Sequence, residues 1–151
     1  MATDRMAGQR AVGVTTAVAA GTAVTTDRYW RSPGVWMAAL AAALMFVNAG
    51  RAMADPAGFA AYLGLPLAGD PGFVHVYAVR ALFLGLLATA LVLRRQRDAL
   101  ALFAAIAVVM PVGDAILTGL AGAPPATVGR HAAIAVFLAV TALVLRRRPA
   151  R

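Results

Sequence analysis

The chain predicts an all-α polytopic membrane protein, a four-helix transmembrane bundle with one short interfacial helix between the first and second spans. Three observations carry that prediction. Apolar stretches recur at Pro33–Ala49, Gly72–Leu93, Ala99–Leu120 and Val128–Leu145, each near the ~20 residues that cross ~30 Å of hydrocarbon. Hydrophobic residues make up 62% of the 151 and charged ones 13%, whereas a soluble domain has about 25% charged. Arginines also alternate from one connection to the next, which fixes an orientation.

Residues 1–31 are expected to be a poorly ordered tail. Their stretch AVGVTTAVAAGTAVTT follows a basic start like a signal-peptide core, but threonine and glycine dilute it and no small-x-small cleavage site follows. The four-helix domain then covers 32–148, and 149–151 form a cytoplasmic tail. Ser32-Pro33 opens the first span with a capping side chain before a proline that needs no amide donor. Asp55-Pro56 opens the interfacial segment Pro56–Leu65 in the same way. That segment is too short to cross, carries Phe59, Tyr62, Leu63 and Leu65, and has Gly64 placed to end it before Pro66. Asp70-Pro71 opens the second span, and Asp98 and Thr127 are candidate caps for the third and fourth. Small residues at Ala39 and Ala43 on the first span, and at Ala81, Gly85 and Thr89 on the second, allow the close helix contact that packing in lipid requires. Tyr29, Trp30 and Trp36 read as interface anchors.

Arg5, Arg10, Arg28 and Arg31 precede the first span, Arg94, Arg95 and Arg97 fill the second connection, and Arg146, Arg147, Arg148 and Arg151 follow the fourth span. The first connection holds only Arg51 with Asp55 and Asp70, and the third is uncharged until Arg130. The positive-inside rule therefore places the chain in the cell membrane as a multi-pass protein with both termini cytoplasmic. Anionic lipid headgroups are the expected partner of these arginines. Nucleic acid is excluded as the reason for the net charge of +8, because the arginines flank apolar spans instead of forming a patch with interleaved aromatics. With no cysteine there is no disulfide, thiol nucleophile or dithiol redox chemistry.

In that topology the polar residues gather in the outer half of the membrane. Asn48 and Arg51 lie at the end of the first span, His75, Tyr77 and Arg80 enter on the second, Asp114 approaches the outside on the third, and Arg130 and His131 begin the fourth. Arg80 and Asp114 lie roughly 12 and 9 Å from their span ends at ~1.5 Å per residue. Isolated charges at that depth are costly, so the two are expected to face inward and to pair with each other or to line a cavity. Pro111 removes one helical hydrogen bond three residues before Asp114, and a kink there would open space beside the carboxylate. The candidate ligand-binding set is Asn48, Arg51, Tyr77, Arg80, Asp114, Arg130 and His131. The catalytic candidates are Asp114, Tyr77 and His131. His75 and His131 lie near the outer ends of different helices, as a bis-histidine haem would require, but the headgroup region solvates a histidine without any partner. No third ligand accompanies them, which argues against haem or metal there.

The run from Arg51 through DPAGFAAYLGLP, the span with Tyr77, Arg80 and Gly85, Asp114 on the third span and Arg130-His131 opening the fourth resemble a family of small four-helix integral membrane proteins classed as a domain of unknown function (4267-type). That family is akin to the wider DoxX-like group, and the resemblance covers residues 33–148. It implies a four-helix bundle with a polar cluster of Arg51, Arg80, Asp114 and His131, and no established reaction. The association of DoxX-like proteins with quinone-linked oxidoreductase complexes implies a lipophilic ligand, although the absence of cysteine weakens any transfer of redox chemistry. The favoured expectation is a module that binds an amphiphilic ligand or a membrane partner protein in an outward-facing polar pocket. The alternative is an isomerase or oxidoreductase on a lipid-soluble substrate, with Asp114 as base and Tyr77 or His131 as acid. A proton or solute carrier is a third class, for which four short helices without a repeat or broken-helix pair are poor material.

Overall fold

The computed structural model describes residues 28–65 and 69–147. From Pro33 onward the described chain forms α1 (Pro33–Ala54), α2 (Pro56–Leu63), α3 (Gly72–Leu93), α4 (Arg97–Ala107), α5 (Val109–Leu120) and α6 (Pro125–Arg146). Four spans are long and apolar enough to cross a membrane, namely α1, α3, α4 with α5, and α6. The predicted tail at 1–31 falls mainly on residues outside the described ones, as does that at 149–151. Residues 28–30 are helical, and the Tyr29 and Trp30 rings meet edge to face at 5.1 Å.

Large apolar side chains cover much of the outside of the bundle, and alanines make up much of its inside beside a few large residues such as Leu100 and Leu145. On α1, Trp36, Leu40, Leu44 and Val47 are exposed while Ala38, Ala42, Ala49 and Ala52 are buried. A hydrophobic exterior around a small-residue interior is what a bundle solvated by lipid requires, because helix contact there depends on close approach. This fold is that of a multi-pass helical membrane protein in contact with lipid.

The ends of the helices follow local chemistry. α1 runs five residues beyond the expected Ala49 and stops at Ala54, since Asp55 precedes a proline and is driven out of helical geometry to φ −141°. Asp55 then caps α2, its Oδ1 accepting from Gly58 N at 2.9 Å. α2 ends as the sequence predicts, with Gly64 left-handed at φ 84° and Leu65 N donating to Ala60 O at 3.1 Å. α3 has its predicted bounds, although Pro71 occupies the cap position and Asp70 acts from one residue further back, accepting from Gly72 N at 3.0 Å. Thr127 was expected to cap the fourth span and does not, because extended Pro124 and Pro125 start α6 earlier and leave Thr127 inside its first turn. Asp98 likewise lies within the first turn of α4 instead of capping it, where its charge faces the positive end of the helix dipole.

The third span is interrupted shortly before Pro111. α4 ends at Ala107 and α5 begins at Val109, because Pro111 has no N–H for the Ala107 carbonyl and its ring crowds that oxygen. α1 packs closely along α3, and α6 packs on both halves of the broken span. α3 meets the third span through α4 and hardly touches α5. Ala81 and Gly85 lie on the contact face of α3, where a Cβ added to Gly85 would stand 3.3 Å from Met45 Cβ and the Phe46 ring. The matching face of α1 is one residue earlier than Ala39 and Ala43, at Ala38 and Ala42. At the arginine-rich end, Arg97 reaches the last turn of α6. Its Nε donates to Leu145 O at 2.8 Å, and its Nη2 to Arg147 O at 3.0 Å and Val144 O at 3.4 Å. These carbonyls have no helical donor of their own, and a cation is favoured at that end of the dipole.

Candidate functional site

A cavity of about 100 Å³ lies inside the bundle. Its walls are mostly apolar, with Ala38 and Ala42 of α1, Leu100 and Ala104 of α4, and Ile134 and Leu138 of α6 among them. Two features of the sequence make the space. Alanines on α1 and α4 leave volume that a leucine would fill, and Pro111, where the third span is interrupted, itself lines the cavity. Thr141 also lines the cavity, but its hydroxyl donates to Phe137 O at 2.7 Å within α6 and so presents no free donor.

The end of the cavity nearest α2 is polar. Asn48 of α1, Tyr62 of α2, Tyr77 of α3, Asp114 of α5, and Arg130 and His131 of α6 line it. Five helices thus contribute to one rim. The last turn of α2 lies across this end, and α6 holds it through side chains. Arg130 Nη2 donates to the Tyr62 carbonyl, and its guanidinium stacks 3.8 Å from the centre of the Tyr62 ring. Arg51 lies over the same ring at 4.6 Å. Phe59 links this group to Tyr77, with ring centres 5.2 Å apart. Helix-terminal carbonyls lack intrahelical donors, so the contacts from Arg130 and His131 satisfy what α2 leaves open.

His131 is 4% exposed, and its Nε2 lies 3.3 Å from Leu63 O. A carbonyl only accepts, so Nε2 carries the hydrogen in that bond and the neutral ring has its lone pair at Nδ1. Nδ1 faces Asp114 Oδ2 at 3.9 Å, too far for a direct hydrogen bond. An unprotonated Nδ1 and a carboxylate are both acceptors. The two therefore meet favourably only when a proton or a donor group stands between them.

The structure brings Asn48, Tyr77, Asp114, Arg130 and His131 of the expected set to one cavity and leaves the other two outside it. The expected pairing of Arg80 with Asp114 is corrected: Arg80 is exposed on α3, and the basic group facing Asp114 is His131. The reason is angular, because Tyr77 and Leu84 of α3 already face the cavity and Arg80 points further round the helix. Arg51 lies past the rim and reaches it only through the Tyr62 ring. His75 is half-buried and does not line the cavity. Tyr62 and Leu63, placed by the sequence only on the interfacial segment, also line the cavity. Leu63 contributes a backbone oxygen as well as its side chain, and no residue type signals that.

These features define a small polytopic helical membrane protein whose interior holds an apolar cavity with one polar end. The chain belongs to the family described as domain of unknown function (DUF4267), whose model matches residues 41–145. That match includes every polar residue of the rim. No curated protein and no solved structure matches the chain.

Proposed function

We propose that the protein binds an amphiphilic small molecule, its apolar part in the cavity and its polar group at the rim of Asn48, Tyr77, Asp114, Arg130 and His131. The observation that carries this reading is the combination of about 100 Å³ of apolar space with polar groups converging from five helices at one end. Ligand sites have that composition, a largely apolar lining with a few placed polar groups. We further assign the protein to the cell membrane with both termini cytoplasmic and the rim in the outer half, on the arginine distribution. The test is native mass spectrometry of the protein purified in mild detergent, compared with an Ala104→Phe variant that fills the cavity. A retained small-molecule mass that disappears in Ala104→Phe supports the proposal. A bare chain in both, or a mass retained equally by both, refutes it.

One observation favours a second reading, an acid–base enzyme on a lipid-soluble substrate. His131 Nδ1 and Asp114 Oδ2 stand 3.9 Å apart, close enough to pass a proton through a substrate group placed between them. Extracted membrane lipids would then differ between cells making the native protein and cells making Asp114→Asn. Identical lipid profiles would count against an isomerase or oxidoreductase.

A further inference from the structure

The axial route into the cavity is covered at its polar end by α2, whose Tyr62 and Leu63 carbonyls are held by Arg130 and His131. Around the bundle, α1 packs on α3, α6 packs on α4 and α5, and α6 packs on α1. The remaining seam is different. α3 packs on α4 but hardly touches α5. Both edges of this seam carry residues that line the cavity and are not closed over: Tyr77 and Leu84 on α3 are half-buried, Met110 on α5 is 42% exposed, and the Asp114 side chain is 42% exposed. In a membrane such a seam opens onto hydrocarbon.

Arg80 stands at the edge of that seam. At about 100° per residue it is offset by about 40° from Leu84 and about 60° from Tyr77 around the helix axis. It is exposed and makes no hydrogen bond or ion pair among the described residues. A guanidinium about 12 Å along a span, surrounded by exposed Val76, Val79 and Phe83, requires a counter-charge or a polar partner. Asp114, across the seam, faces His131 at 3.9 Å. The cavity itself is smaller than the ~150 Å³ space that holds one benzene. It accepts a short stretch of one chain, and the rest of any amphiphile must remain outside.

We propose that the cavity is loaded sideways from the bilayer through the seam between α3 and α5, by a single-chain amphiphile whose oxyanion head, carboxylate or phosphate, rests on Arg80. The chain passes inward about one turn deeper, between Leu84 and Met110. The Asp114 carboxylate across the seam repels an anion drawn further in, so the head stays on the Arg80 side of the rim. This inference rests on the amphiphile-binding reading above, adds a route to it, and moves an anionic head from the rim itself to Arg80 beside it.

The test uses the full chain in phosphatidylcholine nanodiscs with three probes, oleate, 1-oleoyl lysophosphatidate and uncharged oleyl alcohol, and native mass spectrometry as the readout. Because the chain has no cysteine, a Leu84→Cys, Met110→Cys protein can be bridged across the seam by a short bismaleimide without competing sites. The native protein is expected to retain at least one anionic probe, and the relative retention of oleate and lysophosphatidate assigns the head as carboxylate or phosphate. Arg80→Gln is expected to weaken that probe by about tenfold or more, the loss of one charge-assisted hydrogen bond, and to leave oleyl alcohol unchanged. Bridging is expected to block all probes, while the unbridged double variant loads them. Equal loading of bridged and unbridged protein, or equal effects of Arg80→Gln on charged and uncharged probes, overturns the proposal while the binding reading stands. If no probe is retained, or if Ala104→Phe leaves retention unchanged, the binding reading itself fails for this ligand class, and this proposal fails with it.

Discussion

Replacing Gly64 by alanine tests whether α2 is seated over the cavity as described. Gly64 has φ 84°, and a Cβ there would stand 2.7 Å from Thr127 Cγ2 and 3.2 Å from Ala123 Cβ. Two separate costs follow. A non-glycine residue in left-handed geometry costs about 1 to 2 kcal/mol, and forcing a methyl into packed atoms costs about 1 to 3 kcal/mol. The sum for Gly64→Ala is therefore about 2 to 4 kcal/mol after partial relaxation. Thr127→Ser removes the Cγ2 methyl and with it the nearest obstruction. In that background Gly64→Ala should cost less, about 1 to 2 kcal/mol for the conformation plus what little strain Ala123 Cβ at 3.2 Å still imposes. Denaturation of the four proteins in mixed micelles, followed by tryptophan fluorescence, gives the double-mutant cycle. Equal losses in both backgrounds would refute the contact between α2 and α6, and no loss in either would refute the left-handed cap.

Further outcomes follow from other contacts. Arg97→Ala removes three hydrogen bonds to the end of α6 and is expected to cost about 1.5 to 3 kcal/mol in the same denaturation assay; a change within error would show that the carbonyls find other donors. Gly85→Val forces side-chain atoms into Met45 and Phe46 across the α1–α3 contact and is expected to destabilise by about 1 to 3 kcal/mol, which an unchanged midpoint would contradict. Alanine substitutions at Asp114 and His131 are expected to be non-additive, since their side chains face each other, whereas Arg80→Ala and Asp114→Ala should add; coupling between Arg80 and Asp114 would show that those two side chains meet. Single cysteines at exposed Ala57 and Gln96 test orientation. An impermeant maleimide should label Ala57→Cys on intact cells and Gln96→Cys only after permeabilisation, and the opposite pattern would invert the topology.

Much of the fold was written locally. Pro33, Pro56 and Pro111 each act through a missing N–H, at two helix starts and one break, and Gly64 ends α2 through its positive φ. Such effects depend on the chain within a few residues and survive any tertiary arrangement. Thr127 failed as a cap because Pro124 and Pro125, also local, start the helix earlier. Membership of the polar rim was legible for Asn48, Tyr77, Asp114, Arg130 and His131, because polar groups in an apolar bundle have few places to go. Depth alone does not decide whether Arg80 meets Asp114, and in the structure it is His131 that faces Asp114. Two residues at the same level can pair only if they also face each other around the helix axes, and that angle depends on how α3 and α5 pack.

Length, apolarity and the position of prolines determined that this chain makes four membrane-spanning helices with a short fifth between the first two, since each depends on a single segment and its solvent. The facing of His131 and Asp114, the seating of the Tyr62 and Leu63 carbonyls under Arg130 and His131, and the sparse contact between α3 and α5 were decided by the tertiary structure alone. They arise from the rotation of each helix about its own axis and from which helices pack against which. Those are properties of several helices packed together, and no one segment of sequence contains them.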